Sequence, residues 1–387
     1  MRRKVCVYIG GRANYSSGKS ILQSIKDHPQ LELQLLVGAA SVLDRYGELI
    51  KIIEREGFDI KYRFFNLVEG ETPLTMTKSA GLGLIEASTA LDNLRPDFVL
   101  VIGDRYDVLP LAIASTFMNI PLVHTMGGEV TGTIDESIRH SMTKFAHVHF
   151  PANEDARERI IKMGEDPKMV FNVGCPRNDL VLNEVKKHDS LDFLKNIFEK
   201  HGGVGPALDL SKGFLLASQH PVTTEYGMNK SHMEATLEAL ERISMPTLLL
   251  WPNSDAGSDE ISRAIRGFRE KKSPKWLHVF KDLPVETYIH LMNCTSCLIG
   301  NSSSGVREGS LLGTPVVNVG SRQNRRLTGK NVIIVDYSAD EIHQAILKQL
   351  KNGRYPVDTL YGDGSAGIRI AEILARIDVK IQKQIEY

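Results

Sequence analysis

The sequence predicts an α/β protein made of two doubly wound, Rossmann-like domains facing each other across a cleft. Three observations predict it. Short runs rich in Val, Ile and Leu alternate with longer amphipathic stretches, the pattern of parallel sheets covered on both faces by helices. The chain has 387 residues, too many for one ordinary core. Nearly every strand exit carries glycines or small polar residues together with a charge or a histidine, and in wound sheets ligands bind at the carboxyl ends of strands.

The first strand is expected at 5–9. It follows a basic start, but its apolar run of about six residues is too short for a signal peptide. Further strands are expected at 31–37, 98–102, 122–125, 148–150 and 170–172. After a charged, helical-looking stretch at 190–201, strands resume at 214–217, 247–251, 277–280, 297–299, 316–319 and 332–335. Helical periodicity marks 18–26, 43–56, 80–93 and 230–243. The boundary falls near Gly174-Cys175-Pro176, giving a first domain of 1–175 and a second of 176–365. Residues 365–383 read as a helix, and the segment 366–387 is expected to fold back and complete the first domain. No low-complexity tract or short repeat interrupts this order.

Lys plus Arg and Asp plus Glu each number 47, so the formal net charge is zero. That argues against a global field that would hold nucleic acid or an anionic membrane, and leaves room for a local cationic pocket. No stretch approaches the roughly 20 apolar residues of a membrane span. Four cysteines, one inside the first strand, suit a reducing, cytoplasmic setting. Cys294 and Cys297 form a CxxC that lacks the second pair a zinc site requires, so no metal site is expected.

In "CLIGNSSSGVREGSLLGTP" (297–315) a strand should end at Gly300 and a helix begin among Ser302–304. The unpaired amides of that first turn, with the hydroxyls of Ser302 and Ser303, make an anion site suited to a pyrophosphate. Glu308, about a turn later, could accept from ribose hydroxyls. "GSRQNRR" (320–326) adds Arg322, Arg325 and Arg326 after the next strand. In "SQHPVTT", His220 follows a strand and could balance a departing phosphate. In the first half, "VIGDRYD" leaves Asp104 and Arg105 at a strand end, and "HTMGGEVTGTIDE" adds Glu129 and Asp135. Clustered carboxylates disfavour one another's ionisation, so one can act as a base while another keeps a proton. "ANYSSGKS" (13–20) meets a relaxed phosphate-loop spacing, but it lacks the glycines that turn successive amides inward. Lys19 is therefore placed early in the first helix.

Taken in order, "GDRYD", "GGEVTGTIDESIRH", "QHPVTT", "PNSDAGS", "IGNSSSGVRE" and "GSRQ" resemble the hydrolysing UDP-N-acetylglucosamine 2-epimerases of sialic acid biosynthesis. They also resemble the related enzymes acting on diacetamido-trideoxy sugar nucleotides. The resemblance spans essentially the whole chain. It implies a GT-B-like architecture, with the nucleotide held mainly by the second half, no organic cofactor, and a homodimer or homotetramer. The candidate catalytic residues are then Asp104, Glu129, Asp135 and His220. The candidate substrate-binding residues are Arg12, Ala13, Ser16, Arg105, Asn253, Ser302, Ser303, Glu308 and Arg322. The implied chemistry is elimination of the nucleotide diphosphate to a glycal, then hydration to the free 2-epimer.

This sequence departs from the family's pattern twice. Asn14 stands where an acidic residue is usual after Arg-Ala in the first loop. Met126 stands in place of the first glutamate of the usual His-Ile-Glu-Gly-Gly-Glu, and a thioether moves no proton. Either Glu129 with Asp104 and Asp135 carries the proton transfers, or the sugar or the reaction differs. A GT-B glycosyltransferase and a non-catalytic nucleotide-sugar binder remain the alternatives from other classes.

Overall fold

The described residues of the computed structural model are 2–43, 49–70, 72–131, 134–253, 255–281 and 283–386. Among them twelve strands assemble into two six-stranded sheets, and neighbouring strands in each sheet are parallel. One sheet contains β1 (Arg3–Ile9), β2 (Leu31–Val37), β3 (Ile60–Arg63), β4 (Phe98–Ile102), β5 (Leu122–Thr125) and β6 (Val148–Phe150). The other contains β7 (Leu215–Ser218), β8 (Thr247–Leu250), β9 (Leu277–Phe280), β10 (Cys297–Gly300), β11 (Val316–Val319) and β12 (Val332–Val335).

The first sheet runs β3-β2-β1-β4-β5-β6 and the second β12-β11-β10-β7-β8-β9. Renumbered from its own start and read from the other end, the second is also 3-2-1-4-5-6. Each is therefore the Rossmann winding, and its order reverses between β1 and β4 in one sheet and between β7 and β10 in the other. Those two points are where such sheets open a crevice for ligands.

The chain divides into two units, one of residues 1–129, 135–180 and 362–387, the other of 130–134 and 181–361. In the second unit the central strands are apolar at consecutive positions because both faces are covered. Leu215, Ala217, Cys297 and Ile299 pack into one buried cluster, and Phe214, Leu216 and Leu298 pack into another. The CxxC is divided in the same way. Cys297 belongs to the first cluster and Cys294 packs with the second, both as free thiols, and burial pushes both thiols up. That rules out an easily formed thiolate pair.

Four details differ from the sequence expectations. β3 is an edge strand of sequence IKYR whose residues alternate between partly buried and exposed, so it lacks the apolar run that marks the central strands. Residues 170–172 add no strand, only a single bridge from Val170 to His149. The stretch 190–201 is two short helices, Ser190–Leu194 and Ile197–His201, broken at left-handed Asn196. The C-terminal helix is Ala366–Arg376 and does not reach 383 or 387. Arg3 Nη1 takes the carbonyls of Leu374, at 3.1 Å, and Ile377, satisfying the helix end. Beyond it the chain follows the β6 side of the sheet, with the Ile381 carbonyl 2.9 Å from His147 Nε2 and Lys383 Nζ donating to the Ala146 carbonyl and Glu165. Of the expected helix 43–56, residues 44–48 lie outside the described set and Leu49–Arg55 is helical.

No helix among the described residues is long and apolar enough to cross a membrane.

Candidate functional site

In the first unit the exits of β1 and β4 are tied together by one side chain. Asn14, buried in the helix Arg12–Asp27, accepts from the Gly10 amide at 3.2 Å and donates to the Ile102 carbonyl at 2.8 Å. An aspartate could make the first bond but not the second, which gives the Asn14 departure a local physical reason. The helix starts at Arg12, earlier than its periodicity suggests, so Arg12, Ala13 and Ser16 all lie in its first turns. Ala13 is exposed, Arg12 is partly exposed, and Ser16 Oγ is spent on the Arg12 carbonyl at 2.8 Å. Lys19 pairs with Glu56 at 2.8 Å, away from any phosphate-loop geometry.

Asp104 leaves β4 and meets Arg139 of the helix Asp135–Phe145. The Arg139 side chain is completely buried; its Nε donates to Asp104 Oδ2 at 2.8 Å and its Nη2 reaches the same oxygen. Nη1 donates to the Glu129 carbonyl at 2.7 Å. One guanidinium therefore holds the carboxylate after β4 and the backbone of the buried, acid-bearing Glu129 after β5. Asp135, in the first turn of the same helix, lies four residues before Arg139 and so shares its face. Of the loop between Glu129 and Asp135, Gly132 and Thr133 lie outside the described residues.

Arg105 is engaged two residues along the chain. Its Nε donates to Asp107 at 3.2 Å, with about a third of the side chain exposed. His124 fixes the backbone just ahead of Asp104. Its Nε2 lies 3.0 Å from the Gly103 carbonyl, which can only accept, so that nitrogen carries the proton. Burial is the main reason the imidazole is pushed down to about 4, and it remains neutral.

Met126 adopts a left-handed backbone, φ 60°, as the chain leaves β5. Its amide donates to the Phe150 carbonyl at 2.8 Å, and its side chain is buried with Sδ 3.8 Å from Cys175 Sγ. The position is thus apolar packing.

In the second unit the crevice point between β7 and β10 is also pinned by an asparagine. Asn301 accepts from the His220 amide at 2.7 Å and donates to the His220 carbonyl at 2.8 Å. Its own amide bonds the Ser218 carbonyl at 3.1 Å. The preceding residue has to be glycine: Gly300 has φ 128°, and a Cβ there would sit 2.1 Å from the Ser218 carbonyl oxygen.

His220 Nδ1 accepts the Asn253 amide at 3.2 Å, which leaves the proton on Nε2, near Ser218 Oγ. Burial, then the nearby Arg322 cation, holds this imidazole at about 3. It is neutral and poised to gain affinity for a proton when an anion arrives. The Asn253 side chain donates to Asp255. Arg322 Nη1 donates to the Asn301 carbonyl at 3.3 Å, and Nη2 lies 4.0 Å from Asp255. Arg326 instead turns to Gln323 in the interior, and Arg325 is exposed. Among these three arginines, Arg322 is the one that reaches the Asn301 turn.

The expected helix after β10 is two short pieces, Ser303–Val306 and Glu308–Leu312, interrupted at Arg307. Four residues make a weak dipole, so the donors here are first-turn amides and hydroxyls. Ser302 caps the first piece, its Oγ 3.4 Å from the Ser304 amide and 2.8 Å from Ser304 Oγ, which meets Tyr288 Oη at 2.5 Å. Ser303 follows, partly exposed, while Glu308 is buried at the start of the second piece.

Sequence reasoning passed over Arg139 and Asn301 as positioning groups. Arg139 had a signal: it lies four residues after Asp135 on a polar helix face. Asn301 had a weaker one, a polar residue between a strand-ending glycine and a serine cap.

Comparison with known proteins supplies the family and the fold. The sequence family described as UDP-N-acetylglucosamine 2-epimerase matches residues 23–375. The chain is similar to the UDP-N-acetylglucosamine 2-epimerase of Neisseria meningitidis, 31% identical over 97% of this chain and 95% of that one. It is also similar to the GDP/UDP-N,N'-diacetylbacillosamine 2-epimerase (hydrolyzing) of Campylobacter jejuni, 32% identical over 90% and 87%. Among solved structures, the Methanocaldococcus jannaschii UDP-GlcNAc 2-epimerase in complex with UDP-GlcNAc and UDP superposes with a TM-score of 0.80, covering 96% of this chain and 99% of that one at 19% identity. The Neisseria meningitidis enzyme bound to UDP-GlcNAc gives 0.79, covering 96% and 99% at 16% identity. At those identities the structural likeness speaks for the fold, which is GT-B-like.

Proposed function

Because the chain belongs to the UDP-N-acetylglucosamine 2-epimerase family, we propose that it is a hydrolysing 2-epimerase. Its substrate is UDP-N-acetylglucosamine or a related nucleotide-linked 2-acetamido sugar, and its products are the nucleotide diphosphate and the free 2-epimer. The Asp104–Arg139–Glu129 arrangement carries this assignment, since one buried cation orders the groups that would handle protons.

The chemistry sets the order of events. C2–H of an N-acetylhexosamine has no adjacent carbonyl to acidify it, so the C1–O bond must weaken first. Its electron pair goes to the diphosphate oxygen, and the positive character left at C1 acidifies C2–H. The second unit supplies leaving-group stabilisation: the Ser302–Ser303 turn, Arg322 and His220, whose neutral imidazole gains basicity beside the developing phosphate charge. Arg12 and Arg105 are further candidate cations for the substrate. A carboxylate among Asp104, Glu129 and Asp135 takes the C2 proton, giving a 2-acetamidoglycal. Water then adds to C1 while a proton returns to C2 on the opposite face. Glu308 and Asn253 belong to the nucleotide side, and the assembly is a homo-oligomer, to be sized by light scattering.

Relatives of both substrate types fall at 30–32% identity, so C4 and C6 substitution is a matter for assay. The test is incubation in deuterated water with UDP- and GDP-linked N-acetylated sugars, including 2,4-diacetamido-2,4,6-trideoxy forms. Release of diphosphate with deuterium at C2 of a free 2-epimer is expected. Intact nucleotide-linked 2-epimer with no diphosphate rejects hydrolysis, and product that requires a second sugar identifies a glycosyltransferase.

A further inference from the structure

The second unit holds a polar cluster that the proposed reaction leaves unused. Glu225, in the short turn Thr223–Glu225 after β7, accepts from Ser321 Oγ through one carboxylate oxygen. Its other oxygen accepts from Tyr337 Oη at 3.1 Å and lies 3.5 Å from His232 Nδ1. The His232 ring lies flat on Tyr337, with centroids 3.5 Å apart and planes 2° from parallel. Burial, then the Glu225 carboxylate, pushes the Tyr337 phenol up to about 12, so it stays a donor. Gly320, just before Ser321, packs so closely that a Cβ there would fall 2.0 Å from the Tyr337 ring. The turn Ser321–Gln323 after β11 is therefore gripped at its first residue by a carboxylate and at its back by a stacked aromatic pair.

The next residue is Arg322, which reaches the Asn301 carbonyl. Asp255 lies 4.0 Å from that guanidinium, beyond a direct hydrogen bond, and a carboxylate bonded to it would compete with a phosphate for its donors. One placed a residue earlier fixes the backbone from which the arginine extends and leaves the cation's charge in place. We infer that Glu225 is a positioning residue that, by holding Ser321, sets Arg322 for the diphosphate, an inference that rests on the assignment of Arg322 to that ligand.

A double-mutant cycle tests it on the full-length protein, with UDP as the calorimetric probe and steady-state kinetics on the accepted nucleotide sugar. Glu225→Ala and Ser321→Ala should each weaken UDP binding about tenfold, the scale of one charge-assisted hydrogen bond, and raise KM more than they lower kcat. In an Arg322→Ala background neither should change UDP affinity by more than about twofold, because the residue they act through is gone. Effects that persist undiminished in that background overturn the inference. Should Glu225→Ala fail to fold, Ser321→Ala completes the cycle alone. If Arg322→Ala by itself leaves UDP affinity unchanged, the diphosphate assignment fails, and the role of Glu225 fails with it.

Discussion

Asp104 and Arg139 form an ion pair in which the cation is wholly buried while the carboxylate keeps about a fifth of its surface exposed. The asymmetry matters. The guanidinium donates through Nε and Nη2 to Asp104 and through Nη1 to the Glu129 backbone, while the acid keeps part of its surface open.

Removing the holder should therefore cost both stability and turnover. Arg139→Ala strands a partly buried carboxylate and frees the Glu129 turn, and a loss of about 3 kcal/mol is expected in urea melts. Arg139→Lys cannot make the same fork and should recover stability better than activity. By contrast, Asp104→Asn should stop diphosphate release while UDP binding survives. Full turnover in that variant would refute its assignment.

Position 126 should prove chemically silent. Met126→Leu conserves volume in a buried site and should cost less than about 1.5 kcal/mol, with turnover within about twofold. Glu129→Gln and Asp135→Asn should each reduce kcat by at least about a hundredfold if either carries a proton transfer. Loss of turnover in Met126→Leu would place an unrecognised demand on the thioether.

Acid should destabilise the fold through its buried histidines. His124 titrates at about 4 in the folded protein, below its ordinary value near 6.5. The unfolded chain therefore binds more protons between those values, and stability falls as pH drops through that window. From pH 7 to pH 5 the His124 contribution is about 2 kcal/mol. His220, held at about 3, acts in the same direction. Urea melts at the two pH values measure the loss, and His124→Gln should remove the His124 share of it while the His220 share remains.

The asparagine at the second crevice point offers a sharper test of ligand geometry. Asn301→Asp retains an acceptor for the His220 amide but loses the donor to its carbonyl. UDP affinity should fall about tenfold, at the scale of one hydrogen bond whose buried partner is left unmet. An unchanged dissociation constant would separate His220 from the nucleotide.

Central strands were legible because burial on two faces leaves a continuous apolar run, as at Phe98–Ile102. The edge strand Ile60–Arg63 escaped because alternating exposure removes that signal. Asp104 was visible as a charge after a strand, but its partner was not: Arg139 lies 35 residues away, and only the third dimension joins them. The Asn14 and Asn301 ties were hidden for the same reason, since what matters is which backbone groups an amide can bridge. The break at Arg307 left no mark in a sequence that reads as one helix start.

The first unit takes in residues 362–387, and the backbone of Gly367 comes so close to Ser20 that no side chain would fit there. A ribosome therefore makes residues 1–129 and 135–180 long before residues 362–387 exist. Meanwhile the uninterrupted stretch 181–361 is free to fold as soon as it emerges. The half made first is the half finished last, and until then the side of the Arg12–Asp27 helix that receives Gly367 is left to chaperones or to water.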